Sequence, residues 1–219
     1  MTTASFQSHV AAGAVGNSAA SMVYAALGCE LWAVPTVLYS NHPANRTFAG
    51  EIVASALLYR WIAAFEENRL IEQVDYVQSG YLGAADQAQA VLAFLFAARK
   101  SGRTVSYACD PVLGDQTAGL YVPPSVAIAI REVLVPAADI VTPNLFELGY
   151  LTGAPVDTAA QVWAAWGMPL STLATKFIIF PCVPDFFQRF AASCITHQGP
   201  FKLRSTTASH PFREKSMAS

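Results

Sequence analysis

Two short polar clusters in this chain have the residue types that phosphoryl chemistry needs. The first is Asp110-Pro111-Val112-Leu113-Gly114-Asp115, in which two carboxylates flank a stiff, tight turn. Such carboxylates suit Mg²⁺, which takes one or two of them together with phosphate oxygens; the ordinary alternative is a turn or helix-capping role for each. The second is Thr142-Pro143-Asn144-Leu145-Phe146-Glu147. Asn144 and Glu147 have capping-box spacing. They also suit the alternative in which Thr142, Asn144 and Glu147 face a nucleotide and its metal at a helix N-terminus. Three more clusters follow apolar runs: Ser8 and His9, Thr36 to His42, and Ser79 to Tyr81.

These clusters sit where an α/β chain would expose them. Short apolar runs ending in polar or turn residues alternate with longer Ala- and Leu-rich runs, the pattern of βα units around a parallel sheet. Strands are expected at 4–8, 29–37, 75–79, 104–109, 140–141 and 177–180. Helices are expected from Asn17 or Ser18, as a cap, to Gly28; over 47–65 with Thr47 as cap; over 84–100; from Pro123 to about Val133; and from Asn144 through Leu151, ended by Gly153. Ligands of such sheets bind beyond the carboxyl ends of the strands, which is where all five clusters fall.

Other chemistries find little support. The turn Gly13-Ala14-Val15-Gly16-Asn17-Ser18 lacks the Lys-Ser/Thr of a Walker motif. Cys29, Cys109, Cys182 and Cys194 form no C-x-x-C pair, and His9, His42, His197 and His210 show no metal-ligand spacing. His42, in a polar loop, is a candidate ligand contact. A formal net charge of -2 and the lack of a basic stripe argue against a nucleic-acid partner. The apolar stretch at 52–65 is broken by Arg60 and that at 88–98 is too short for a membrane span. No Lys or Arg precedes Arg46, so the basic region of a signal peptide is missing. Together these point to a cytoplasmic protein. Hydrophobic residues make up 53% of the chain and charged residues only 13%. A large buried sheet or a subunit interface is therefore expected.

The clusters and their neighbours, taken in order, resemble pyridoxal kinases of the ribokinase-like superfamily. The matching stretches are Gln7-Ser8-His9-Val10, Gly16-Asn17-Ser18-Ala19-Ala20, Thr36-Val37-Leu38-Tyr39-Ser40-Asn41-His42, Ser79-Gly80-Tyr81-Leu82-Gly83, Cys109 to Asp115, Tyr121-Val122-Pro123, and Ala138 to Leu148. They cover the chain from about Phe6 to about Trp166.

The resemblance implies a three-layer α/β ribokinase-like fold, with a central mostly parallel sheet flanked by helices, incomplete at the C-terminus. It implies ATP-dependent phosphorylation of the 5′-hydroxyl of pyridoxal and related B6 vitamers, with ATP and Mg²⁺ as cofactors and a homodimer as the assembly. Ser8, Thr36 and Tyr81 match positions that contact the pyridoxal ring, with His42 nearby. Asp110, Asp115, Thr142 and Glu147 match positions around the ATP phosphates, and Asp110, Asp115 and Glu147 are the metal-side carboxylates. Tyr121 matches a residue of the loop that folds over the nucleotide site. The family's catalytic base is an Asp in a late G-x-G-D motif, and no G-x-G-D occurs after Trp166. The expected division is therefore a kinase core at 1–166 and a divergent, partly disordered tail at 167–219, from a C-terminally truncated or altered member. Two other functions are weighed beside turnover: a non-catalytic remnant that binds a B6 vitamer or dimerises, and a kinase for a hydroxymethylpyrimidine-type alcohol.

Overall fold

The structure is a computed structural model that describes residues 1–154, 156 and 177–178. The expectations for the rest of 167–219 lie outside the described residues. Nine strands and five α-helices are described: β1 (Thr2–Ala12), α1 (Gly16–Ala26), β2 (Glu30–Asn41), β3 (Gly50–Ile52), α2 (Ser55–Glu67), β4 (Tyr76–Ser79), α3 (Gln87–Lys100), β5 (Ser106–Cys109), β6 (Gly114–Asp115), β7 (Gly119–Leu120), α4 (Pro124–Ala129), β8 (Ile140–Val141), α5 (Leu145–Thr152) and β9 (Phe177–Ile178). Seven strands form one sheet in the order β3-β2-β1-β4-β5-β8-β9. All its pairings are parallel except β2 with β3. The expected α/β sheet with βα connections is present.

Side-chain alternation along β1 divides the two faces. Ala4 and Phe6 are buried in an apolar core with Leu58 and Ile62 of α2, Val91, Phe94 and Leu95 of α3, and Val126 of α4. Phe6 meets Phe94 edge to face at 5.2 Å. The intervening residues face α1 and are polar. Ser5 donates to Asn17 (2.7 Å) and accepts from Gln7 and Gln78 (2.8 Å each), while Asn17 donates to the carbonyls of Ser5 and Gln7 (3.2 Å each). One face is thus held by apolar packing and the other by a buried hydrogen-bond network, beside which the buried Thr3 hydroxyl has no partner among the described residues.

Several elements depart from the sequence expectation. Asn17 and Ser18 do not cap α1, which starts behind Val15 with no side-chain cap. Asn17 crosslinks the helix to β1, and the Ser18 hydroxyl donates to the Val10 carbonyl at 2.7 Å. The helix expected over 47–65 starts at Ser55, and Thr47 is no cap. Residues 50–52 instead pair antiparallel with the free side of β2, which satisfies backbone groups on both strands. Gly50 makes this possible: its φ is +144°, and a Cβ there would collide with the Leu38 carbonyl oxygen. The run from Pro123 is α-helical only to Ala129, then widens to a π turn (130–134) and tightens to a 3-10 turn (135–137). Pro136 lacks an N–H and crowds the carbonyl four residues back, so the α ladder cannot continue through it. Gly28 and Gly153 end α1 and α5 in the left-handed conformation, as expected.

Candidate active site

β1 is the switch point of the sheet: its two neighbours are β2 and β4. α1 and the α2–α3–α4 layer lie on opposite faces, so a crevice opens at the carboxyl end of β1. Strand lengths deepen it. β4 and β5 stop at Ser79 and Cys109, with Ser79 opposite Phe6, whereas β1 and β2 run on together to Ala12 and Asn41. At this step the register shifts. Gln7 lies opposite Pro35 and His9 opposite Leu38, so β2 carries one extra residue beside Ser8. Bulges of this kind re-aim side chains next to active sites.

The result is a cleft of about 670 Å³ lined by Gln7, Ser8, Val10, Val15, Gly16, Tyr39, His42, Pro43, Ala44, Tyr81, Asp110, Val112, Asp115, Ala118 and Tyr121. It gathers six of the expected site residues: Ser8, His42, Tyr81, Asp110, Asp115 and Tyr121. Ser8 is held against the start of α1 by Gly16, whose φ is +54° and where a Cβ would collide with the Ser8 carbonyl oxygen. His42 is exposed, and its Nδ1 accepts the N–H of Ala44 at 3.1 Å. Burial, reinforced by the neighbouring Tyr39 phenol, raises the pKa of Tyr81. The β6–β7 hairpin carries Asp115 and Tyr121 to the cleft. Asp115 Oδ1 accepts the N–H groups of Thr117 and Ala118 at 2.7 Å each. This Asx turn orients the hairpin.

Three expected residues stand behind the cleft wall. Thr36 is fully buried and donates its hydroxyl to the Tyr81 carbonyl at 2.6 Å. Thr142 donates to Asp110 Oδ1 at 3.1 Å. Glu147 is 4% exposed, and its two oxygens accept the N–H groups of Leu113 (3.1 Å) and Asn144 (2.8 Å). Burial pushes Glu147 up to about 7, against the backbone N–H bonds that lower it. Burial also raises Asp110, although its side chain opens to the cleft; the Thr142 hydroxyl opposes that rise. Tyr121, half-exposed, is pushed up to about 12, first by desolvation and then by the carboxylates of Glu147, Asp115 and Asp110.

Asp110 and Asp115 thus line the cleft with Glu147 behind them, and no Lys or Arg lines it among the described residues. No three His, Cys, Asp or Glu side chains form a ready-made metal cage among the described residues. Hard oxygen donors in ones and twos fit Mg²⁺, which keeps waters and shares its shell with phosphates. The sequence clusters did not single out Tyr39, Gln7 or the Val15–Gly16 turn as site residues. Tyr39 lies two residues beyond the buried Val37 and so on the same face of β2, which was a usable signal.

Comparison with known proteins agrees with this geometry. The phosphomethylpyrimidine kinase family model matches residues 24–180. The pyridoxal kinase of Corynebacterium diphtheriae is 35% identical over 210 residues, which is 94% of this chain and 73% of that protein. The pyridoxal kinase of Deinococcus radiodurans is 39% identical, over 74% of this chain and 54% of its own length. Among solved structures, the pyridoxal kinase of Leishmania donovani in complex with ADP and pyridoxamine superposes with a TM-score of 0.73 at 31% identity, covering 84% of this chain and 64% of that one. The chain thus spans less than two thirds of that solved relative and of the second curated one. With the family match extending past Trp166 and the fold shared, this chain belongs to the family of the pyridoxal kinases.

Proposed function

We propose that this chain binds a B6 vitamer and ATP·Mg²⁺ in the cleft at the end of β1 and transfers the γ-phosphoryl group to the vitamer's 5′-hydroxyl. The observation that carries this reading is the gathering of six separated residues into one cleft with two chemically distinct ends. Ser8, His42, Tyr81 and Tyr39 offer small hydroxyls, an imidazole and aromatic surface to a flat heteroaromatic ring with polar substituents. Asp110 and Asp115 offer carboxylates to a cation, with Glu147 behind them.

A polyphosphate cannot approach that negative end uncompensated. Mg²⁺ supplies the neutralisation and polarises the transferring group when bound. Asp110 is its most available protein ligand, since Asp115 Oδ1 and both Glu147 oxygens already accept backbone N–H groups. Tyr121, on the hairpin at the cleft mouth, shields the phosphates from water. Phosphoryl transfer depends chiefly on such positioning and charge neutralisation. The working form is a cytoplasmic homodimer.

One sequence feature favours a second reading. Residues 167–219 contain no G-x-G-D to provide a general base, and its loss forfeits about 10²–10⁴-fold in rate. On this reading the chain binds its ligands without turning them over. The family model's description names a phosphomethylpyrimidine, which makes a hydroxymethylpyrimidine the control substrate.

The test is ATP-dependent formation of pyridoxal 5′-phosphate by the purified chain, with Asp110→Asn as control. Turnover that disappears in the control supports the kinase reading. Pyridoxal binding in a folded sample without turnover supports the second. Phosphorylation of hydroxymethylpyrimidine in preference to pyridoxal overturns the assignment of the ring end.

A further inference from the structure

Gln87, at the start of α3, is fully buried in a mainly apolar layer, yet its side-chain amide has no unused donor. Nε2 donates to the carbonyls of Thr36 (2.8 Å) and Val53 (2.7 Å). Oε1 accepts the N–H groups of Gly83 (2.9 Å) and Ala84 (3.2 Å). Two donors and two acceptor sites are all a carboxamide has, and here they join three chain segments distant in sequence. An ionised Glu would lose both donors, and an apolar residue would remove this partner from four backbone groups, of which the Thr36 carbonyl keeps the Val53 N–H.

The three segments converge on one site residue. The Thr36 hydroxyl donates to the Tyr81 carbonyl. Gly83 and Ala84 continue the turn that Tyr81 begins. Val53 donates its N–H to the same Thr36 carbonyl at 3.0 Å, fixing the junction of β3 and α2. The turn also has no slack towards β2, because a Cβ at Gly83 would lie 2.5 Å from Val37 Cγ1. From this frame Tyr81 enters the cleft beside Tyr39.

We propose that Gln87 is a positioning residue for the ring end of the cleft: its amide locks the Tyr81–Ala84 turn onto β2 and so sets the phenol of Tyr81 against that of Tyr39. The inference rests on the reading of this end as the vitamer site. It concerns a residue that touches no ligand and acts through Tyr81.

The test compares Gln87→Met, which keeps the volume, with the wild-type chain. Pyridoxal affinity and the affinity for a non-hydrolysable ATP analogue with Mg²⁺ are measured on the same samples. Tyrosine ring signals are recorded without ligand by NMR on ¹³C-tyrosine-labelled protein, with Tyr81 and Tyr39 assigned by their Phe variants. Pyridoxal affinity is expected to fall about tenfold while nucleotide affinity stays within about twofold. In a Tyr81→Phe background the same substitution is expected to cost much less. The Tyr81 and Tyr39 rings should shift while those of Tyr24 and Tyr107 stay in place. Parallel loss of both affinities, unchanged pyridoxal affinity, or an unmoved Tyr81 ring overturns the proposal. If the wild-type chain binds no pyridoxal, the vitamer reading fails, and the ring signals still decide whether Gln87 positions Tyr81. If Gln87→Met does not fold, Thr36→Val interrupts the same connection one bond later and must shift the same two rings.

Discussion

Glu147 and Asn144 cap each other. The Glu147 carboxylate accepts the backbone N–H of Asn144 at 2.8 Å, and the Asn144 side chain accepts the backbone N–H of Glu147 at 2.9 Å. Glu147 Oε1 also accepts the N–H of Leu113, and the Asn144 amide donates to the Gly114 carbonyl at 2.8 Å. One capping box therefore starts α5 and anchors the hairpin that presents Asp115 and Tyr121.

This arrangement has a pH signature. Burial holds Glu147 at about 7, well above its ordinary value near 4.5. Between those values the folded chain keeps a proton that the unfolded chain has released. Stability attributable to Glu147 is therefore highest at low pH and falls as pH rises from about 4.5 to about 7, by at most about 1.4 kcal/mol per unit. Glu147→Gln should flatten that decline. Urea unfolding from pH 5 to pH 8 in metal-free buffer measures it, and an identical slope in the variant counts against the assignment.

The hydroxyl of Thr142 lowers the pKa of Asp110, against the burial that raises it. Thr142→Val removes that bond, so the pKa of Asp110 should rise. Mg²⁺-dependent nucleotide binding requires the ionised carboxylate, so its acid limb should move to higher pH. The check is nucleotide-analogue affinity against pH with Mg²⁺ present; an unmoved acid limb shows that Asp110 does not hold the cation.

Gly16→Ala places a methyl group against the carbonyl and hydroxyl of Ser8 at a positive φ. A cost of about 2 kcal/mol or more is expected, lowering the melting temperature by about 4 °C or more. Ligand affinity should fall beyond what the lost stability explains, because Ser8 and Gly16 both line the cleft. Wild-type affinity in a folded variant would show that Ser8 does not contact the ligand.

Phe94 is fully buried and meets Phe6 and Phe65 edge to face, at 5.2 and 6.1 Å between ring centroids. Phe94→Ala should cost about 3–5 kcal/mol through lost transfer energy and the cavity left behind. Calorimetry or denaturant unfolding tests this. A loss below about 1 kcal/mol would mean that α3 is not packed on β1 as described.

Much of the molecule was legible in the amino-acid order, because some decisions are local. The alternation of short apolar runs with longer helical ones marks βα units without any partner. Asn144, Glu147 and Gly153 mark the two ends of α5 because a cap is satisfied within a few residues of itself. The polar clusters at Ser8, Thr36, Ser79, Asp110 and Thr142 were visible as clusters for the same reason.

The tertiary structure decided which of these residues face one another. Asn17 and Ser18 have the side chains of caps, but β1 lies close enough to take their hydrogen bonds, so they join helix to strand instead. Residues 50–52 have no strong strand pattern of their own and became a strand because β2 had a free side. Thr36 and Glu147 carry polar groups at positions that the family resemblance places around a ligand. The fold buries both, and their hydrogen bonds go to the Tyr81 carbonyl and to the backbone of the hairpin and α5. Gln87 was not read as a site-supporting residue: its bonds to Gly83 and Ala84 are local, but those to Thr36 and Val53 reach segments that only the packed sheet brings to the same amide. Hydrogen bonds are short-ranged and their partners here are distant in sequence, so residue order determined the elements and the packing of those elements determined the site.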